Sequence, residues 1–201
     1  VSEKRLESAV AAVMAGGSGS RIGGAKATAQ LSGHALISYP LKAALGALEQ
    51  VAVVAKSNTE LPDDLGQRVE LWIEPDEPRH PVVGVIEALR RAEGRAVVVI
   101  ACDLPLLTSA TVALLACADA GGSVAVLASA AGRPQPLLAR YEPAALGLLE
   151  KFDTDGPMTA QVMALPATLV EVPPEASFNV NDLEQLKEVS RRLRSSSEPA
   201  E

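Results

Sequence analysis

An unbroken apolar run, Val10 to Met14, ends abruptly at Gly16-Gly17, and the next nine residues supply three further glycines, two serines, Arg21 and, last, Lys26. Such a run suits a central parallel strand covered on both faces. Glycine has no Cβ, so a chain leaving that strand can turn through positive φ and approach a ligand closely. Its successive N–H groups can then converge on phosphate oxygens. Arg21 and Lys26 add fixed positive charge. The stretch reads as a strand running into an anion cradle, and it constrains the whole chain to a fold that can bury that strand.

Two common phosphate loops do not fit. A dinucleotide fingerprint would need glycine at 22 after Gly17 and Gly19, where Ile22 stands. A P-loop would use Gly19 and Gly24, but Ala25 intervenes before Lys26 and Ala27 replaces the metal-binding hydroxyl.

The 201 residues suffice for one well-filled core and are few for two. Aromatics are only 2%, against 48% hydrophobic residues, so the core must be built from Ala, Val and Leu, and base-stacking nucleic-acid modules are disfavoured. The net charge of -7 points the same way, away from a phosphate-backbone binder. Cys102 and Cys117 have neither metal-ligand nor disulfide spacing and read as buried thiols. No apolar run approaches a membrane span and no secretory cleavage pattern follows the charged N-terminus, so a cytoplasmic location is expected.

Along the chain, strands are expected at Val10–Met14, Val51–Ala55, Leu71–Ile73, Ala96–Ala101, Val124–Ser129, Leu137–Arg140 and Thr168–Val172. Helices are expected at Ser38–Leu48, Val83–Glu93, from Thr108 or Ser109 to about Ala118, Ala144–Phe152, Met158–Ala164 and Asp182 to about Leu193. Gly132 to Pro136 reads as a polar loop between two strands. This alternation predicts a single three-layer α/β/α domain over residues 1–194, with a mostly parallel central sheet and a disordered tail at 195–201. In open sheets of this kind ligands sit beyond the carboxyl ends of strands, so the glycine loop and Asp103 are expected to face one site.

Asp103 follows a continuous apolar strand, and a hard oxygen ligand beside a phosphate cradle is what magnesium needs. Arg21 and Lys26 are candidates for contact with a triphosphate. Asn181 can cap the last helix, which would explain it without any function, whereas Asn179 is left unexplained by capping.

The glycine stretch resembles the L-A-G-G-x-S-x-R-M-G-x-D-K signature of the molybdenum cofactor guanylyltransferases, within the nucleotidyltransferase superfamily. The match runs through Met14-Ala15-Gly16-Gly17, Arg21-Ile22-Gly23 and Lys26, with Gly19 and Ala25 departing from it. Cys102-Asp103-Leu104-Pro105 resembles the family's metal-binding C-D-x-P, and Phe178-Asn179-Val180-Asn181 its F-x-N-V-N, followed here by Asp182-Leu183 instead of Thr-Pro. His80-Pro81-Val82-Val83-Gly84 stands in place of G-P-L-x-G. Asp76 resembles the acidic ribose or base contact upstream of that segment, although Glu74 could align instead.

The resemblance implies a Rossmann-like, nucleotide-diphospho-sugar-transferase-like fold and transfer of GMP from GTP to the terminal phosphate of molybdenum-molybdopterin, with release of pyrophosphate. It implies Mg²⁺ on Asp103, and Arg21, Lys26 and Asp103 as catalytic groups. Nucleotide contacts would come from Met14, Ala15, Gly16, Gly17, Lys26, Asp76 and Asp103, and acceptor contacts from Arg133, Asn179 and Asn181. Cofactor-insertion proteins or apo-molybdoenzymes are the implied partners, with no nucleic acid and no membrane. Cytidylyl transfer, sugar-phosphate nucleotidyl transfer and a catalytically inactive nucleotide carrier are the alternatives.

Overall fold

The computed structural model describes residues 9–16 and 25–195. The strand β1 (Ala9–Met14) is buried at every position, so it has no face to give to water and must lie inside a sheet. It pairs in parallel with β4 (Val51–Ala55) on one side and β6 (Ala96–Ala101) on the other. Between β1 and β4 come a 3-10 turn (Lys26–Thr28), a small antiparallel hairpin of β2 (Gln30–Leu31) and β3 (His34–Ala35), and the helix α1 (Ser38–Leu45). The strand β5 (Val69–Ile73) extends the parallel set beyond β4, and α2 (Pro81–Arg91) carries the chain back to β6.

The second half contributes α3 (Ser109–Cys117), β7 (Ala125–Ala130), β8 (Arg133–Tyr141), the short helices α4 (Leu146–Leu149) and α5 (Met158–Val162), β9 (Ala167–Glu171) and α6 (Leu183–Ser195). Among the described residues the main sheet has seven strands in the order β5-β4-β1-β6-β8-β7-β9. Only β8 runs antiparallel to its neighbours. The sheet is therefore mostly parallel with flanking helices.

Ile37, Leu41 and Ala44 of the α1 region pack with Val112 and Leu115 of α3 on one face of the sheet. Val82, Val85 and Leu89 of α2 pack with Leu149 and Val162 of α4 and α5 on the other. From β1 the chain goes on to β4 on one side, and from β6 to β7 and β8 on the other, so the strand order reverses between them and a crevice opens at the carboxyl ends of these two adjacent strands. A third, smaller cluster joins Leu31 and Leu36 of the hairpin region to Val180 and Val189, and so fastens the C-terminal helix to the hairpin.

The segment 133–136 is strand rather than loop. Ala131 and Gly132 take positive φ of 49° and 73°, which makes a tight hairpin turn and lets β8 begin at Arg133. Pro134 and Pro136 survive in a strand because β6 pairs only with residues 138–141, and the ladder to β7 shifts register between Leu127 and Ala128. The helix expected over 144–152 is split into a 3-10 turn at Pro143–Ala145 followed by α4. The helix α2 starts two residues earlier than the sequence predicts. Pro81 stands at its first position, and the His80 ring Nδ1 accepts from the Val82 N–H at 3.2 Å, capping it.

Candidate active site

The crevice is a cleft of about 880 Å³, within the range of small-molecule sites. Its floor is the end of β1, where Met14, Ala15 and Gly16 line it, and the residues just beyond β6, Cys102 and Asp103. The Cys102 N–H bonds the Met14 carbonyl at 3.2 Å, so the chain leaving β6 stays pinned beside the start of the glycine stretch.

Lys26 sits in the 3-10 turn anchored by the buried Ala27, whose carbonyl accepts from the Ile37 N–H at 3.2 Å. Its Nζ lies 2.6 Å from Asp103 Oδ2 and donates to Asn181 Oδ1 at 2.7 Å. Residues 77 and 155 positions away in sequence thus meet on one ammonium. The Asp103 residue is only 8% exposed and its other oxygen, Oδ1, is buried without a hydrogen-bond partner among the described residues. The Val180 N–H donates to the Asp103 carbonyl at 3.0 Å, which fastens the 178–181 segment to the same corner.

Asn181 does not cap α6. That duty falls to Asp182, whose Oδ1 accepts from the Gln185 N–H at 2.8 Å, while the Gln185 side chain reaches back to the Asn181 N–H at 2.7 Å. The Asn181 side chain is thereby left for Lys26. Asn179 lines the cleft. Beside Asp103, burial pushes the Cys102 thiol up to about 12, with the neighbouring carboxylate adding to it, so Cys102 remains a protonated packing group.

At the other end of the cleft lies Glu74, 7% exposed, directly after β5. Its carboxyl faces the glycines of two different elements. A Cβ on Gly16 would stand 3.7 Å from Oε1, and one on Gly84 in α2 would stand 2.6 Å from Oε2 and 2.2 Å from Met14 Cε. Gly84 is therefore the residue that makes room for the carboxylate. Lys56, the first residue after β4, approaches Oε1 at 3.6 Å and donates to the Pro75 carbonyl at 2.6 Å. Burial raises the Glu74 pKa, and the Lys56 charge opposes that rise.

Of the residues singled out from sequence, Met14, Ala15, Gly16, Lys26, Asp103 and Asn179 line the cleft and Asn181 reaches it through Lys26. Gly17 and Arg21 lie outside the described residues. Asp76 is exposed, and its carboxylate accepts from the Ser57 N–H and hydroxyl at 3.2 and 2.9 Å, so it braces a surface loop. Arg133 is exposed at the hairpin, and Gln135 and Leu137 of the same strand line the cleft instead. Between the two acids that the sequence offers for the ribose or base contact, the structure places Glu74, the alternative to Asp76, in the cleft. Lys56 has no place in the sequence reading; its one signal is a charged residue directly after an apolar strand, as at Asp103.

A cleft of this size at the carboxyl ends of β1 and β6, with Gly16 in its wall and Lys26, Asp103 and Asn181 joined at one corner, can receive a polar small molecule. The family model described as MobA-like NTP transferase domain matches residues 11–167. The chain belongs to this family. Membership in the MobA-like NTP transferases makes it a nucleotidyltransferase enzyme. It is 30% identical over 186 residues to a Bacillus licheniformis protein named "Probable molybdenum cofactor guanylyltransferase", covering 88% of this chain and 94% of that one. The crystal structure of the molybdopterin-guanine dinucleotide biosynthesis protein A of Archaeoglobus fulgidus superposes with a TM-score of 0.73 at 25% identity, covering 92% of this chain and 98% of that one. A Mycobacterium tuberculosis protein solved in complex with manganese shares the fold at 15% identity, with a TM-score of 0.69 over 92% of this chain and 98% of that one. Among the described residues no helix is long and apolar enough to cross a membrane.

Proposed function

We propose that this nucleotidyltransferase moves GMP from GTP onto the terminal phosphate of molybdenum-molybdopterin, releasing pyrophosphate, as a single cytoplasmic domain over residues 1–194. The observation that carries the reading is the convergence of Lys26, Asp103 and Asn181 at the end of the glycine-lined strand.

The donor set fits a divalent cation held jointly with a nucleotide. Asp103 offers a buried, unpartnered carboxylate oxygen, and the described residues contain no cluster of three or more His, Cys, Asp or Glu that could hold a metal alone. Magnesium bound by one carboxylate and completed by phosphate oxygens is the usual arrangement for such ions. When bound, the cation would neutralise charge between two anionic reactants and draw phosphate oxygens into line. In this reading the backbone of Ala15 and Gly16 receives the nucleotide, and Lys26 offsets the charge that develops on the departing pyrophosphate. Asn179 and Asn181 border the acceptor. The protein's own work is positioning and electrostatics, since phosphoryl-type transfer needs little covalent chemistry from side chains.

Glu74 supports GTP over CTP. Guanine presents two adjacent donors, N1–H and the exocyclic amine, which a carboxylate accepts as a pair. Cytosine and adenine present a donor beside an acceptor nitrogen, and a carboxylate there meets one lone pair with another.

The test is calorimetric titration with GTP, CTP and ATP, each with and without Mg²⁺, followed by pyrophosphate release with purified molybdenum-molybdopterin as acceptor. Magnesium-dependent GTP binding and turnover that falls about 10²- to 10³-fold in Lys26→Ala are expected. Preferential CTP binding would reassign the chain to cytidylyl transfer, and absence of turnover with a bound GTP would overturn the acceptor assignment.

A further inference from the structure

We propose that Lys26 holds Asp103 in an ion pair that neutralises its carboxylate until a nucleotide arrives, so that the divalent metal enters only together with the triphosphate. The inference rests on the reading of Asp103 as the metal ligand and adds an order of binding to it.

The ammonium of Lys26 is fixed by two short contacts, 2.6 Å to Asp103 Oδ2 and 2.7 Å to Asn181 Oδ1. Asn181 is itself held, because its N–H is bound by Gln185 and the next residue caps α6. Lys26 and Asp103 are both largely buried, with side-chain exposures of 17% and 11%, so water screens the contact weakly. A metal arriving alone would find one carboxylate already sharing its charge with an ammonium, and among the described residues no cluster of three or more His, Cys, Asp or Glu that could hold it. It would also stand beside that ammonium without an intervening anion. A triphosphate removes both obstacles. Its oxygens give Lys26 a new partner on the same flexible stem, which releases Asp103 Oδ2, and they supply the remaining metal ligands. Lys26 is in this sense a resident cation that keeps the corner assembled and exchanges for the metal when phosphate becomes available.

The test is Mn²⁺ binding to the whole chain, read by the electron paramagnetic resonance signal of free Mn²⁺, with no nucleotide and with saturating GTP. Without nucleotide, wild type should bind Mn²⁺ weakly and Lys26→Met about ten- to a hundredfold more tightly, the worth of one charged hydrogen bond removed from the competing side. Lys26→Arg, which keeps the charge, should stay weak. Lys56→Met removes a positive charge from the same cleft away from Asp103 and should also stay weak. Should Lys26→Met not fold, Lys26→Gln is read in the same way. Nucleotide-free affinity in the Lys26 variant no higher than in wild type would overturn the proposal, as would equal tightening in Lys56→Met, which would show a general charge effect. Asp103→Asn binding Mn²⁺ with GTP as tightly as wild type would instead remove Asp103 as a metal ligand, and both readings would fall together.

Discussion

Gly84 separates the structural role of the α2 start from its role in the site. A Cβ added there meets Met14 Cε at 2.2 Å and Glu74 Oε2 at 2.6 Å. Met14 is a flexible thioether that can swing its methyl aside at little cost. Glu74 cannot yield so freely, because its backbone N–H is bonded to the Ala55 carbonyl at 2.9 Å and its carboxyl lies between two backbone walls and Lys56. To restore ordinary contact the Oε2 atom must retreat about 0.8 Å, from 2.6 to 3.4 Å. That displacement is enough to spoil a paired hydrogen bond to a base.

In Gly84→Ala, the helix gains about 1 kcal/mol from propensity and loses about 1–3 kcal/mol to overpacking. Net destabilisation should therefore stay at or below about 2 kcal/mol, a fall in Tm of no more than roughly 8 °C for a domain of this size. GTP affinity should fall by about ten- to a hundredfold, the worth of a charge-assisted contact of about 1.5–3 kcal/mol, while CTP affinity stays within about threefold. Calorimetry with both nucleotides in Mg²⁺, alongside a thermal melt, measures all of these. A folded Gly84→Ala protein that binds GTP as wild type does would refute the assignment of Glu74 as the base reader. Equal weakening of GTP and CTP would refute it as well, by placing the effect outside base discrimination.

Burial raises the Glu74 pKa, so in the ligand-free protein its contribution to stability is fully present below the ordinary carboxylate range and is lost as pH rises through the raised value. Melts across that window should show wild type losing stability relative to Glu74→Gln, while wild-type GTP affinity rises over the same window as the carboxylate ionises. Asp182→Ala should cost about 1 kcal/mol of stability through the lost cap, which denaturant unfolding checks. Arg140 is 4% exposed and donates to the carbonyls of Leu115 and Ala116, at 3.0 and 2.6 Å, and to Glu142. Arg140→Met should therefore destabilise by about 3–5 kcal/mol in denaturant unfolding, because two helix-end carbonyls and a carboxylate lose their partner.

The strands β4 and β6 fall on the residues that the sequence predicts, and β1 begins one residue early, because each is apolar without interruption. That the glycine stretch and Asp103 face one site was legible for the same reason, since both follow the carboxyl ends of such strands; the direct contact of Lys26, at the end of that stretch, with Asp103 was not. What escaped the sequence depends on packing between distant elements. Prolines at 134 and 136 argue locally for a loop, and only the overhang of β8 past β6 makes them tolerable in a strand. Glu74, Asp76 and Glu77 are alike in a stretch of acids and prolines. Gly84 in the facing helix gives the first of them a place to be buried, whereas Ser57 ties the second to the surface. His80 is an uncommon cap, so Pro81 at the first position was the one local signal for the true start of α2.

The departures from the family signature fall unevenly across this architecture. Thr-Pro after the second asparagine would supply a helix cap and a residue preset for the first turn. Asp182 does the first job through its bond to the Gln185 N–H, and Leu183 occupies the second position, where proline is favoured but not required. Exchanging Thr-Pro for Asp-Leu therefore preserves the helix start, and with it the freedom of Asn181 to hold Lys26. His80 likewise replaces a glycine and takes on the cap of α2, leaving Gly84, which the Glu74 carboxylate needs, in place. At Ala25 the missing carboxylate removes an acidic neighbour directly before Lys26, yet the backbone there still feeds the 3-10 turn that aims the ammonium at Asp103. At these three places the substituted positions carry backbone duties that another residue type can perform, while the two charged groups that meet in the cleft, Lys26 and Asp103, are retained.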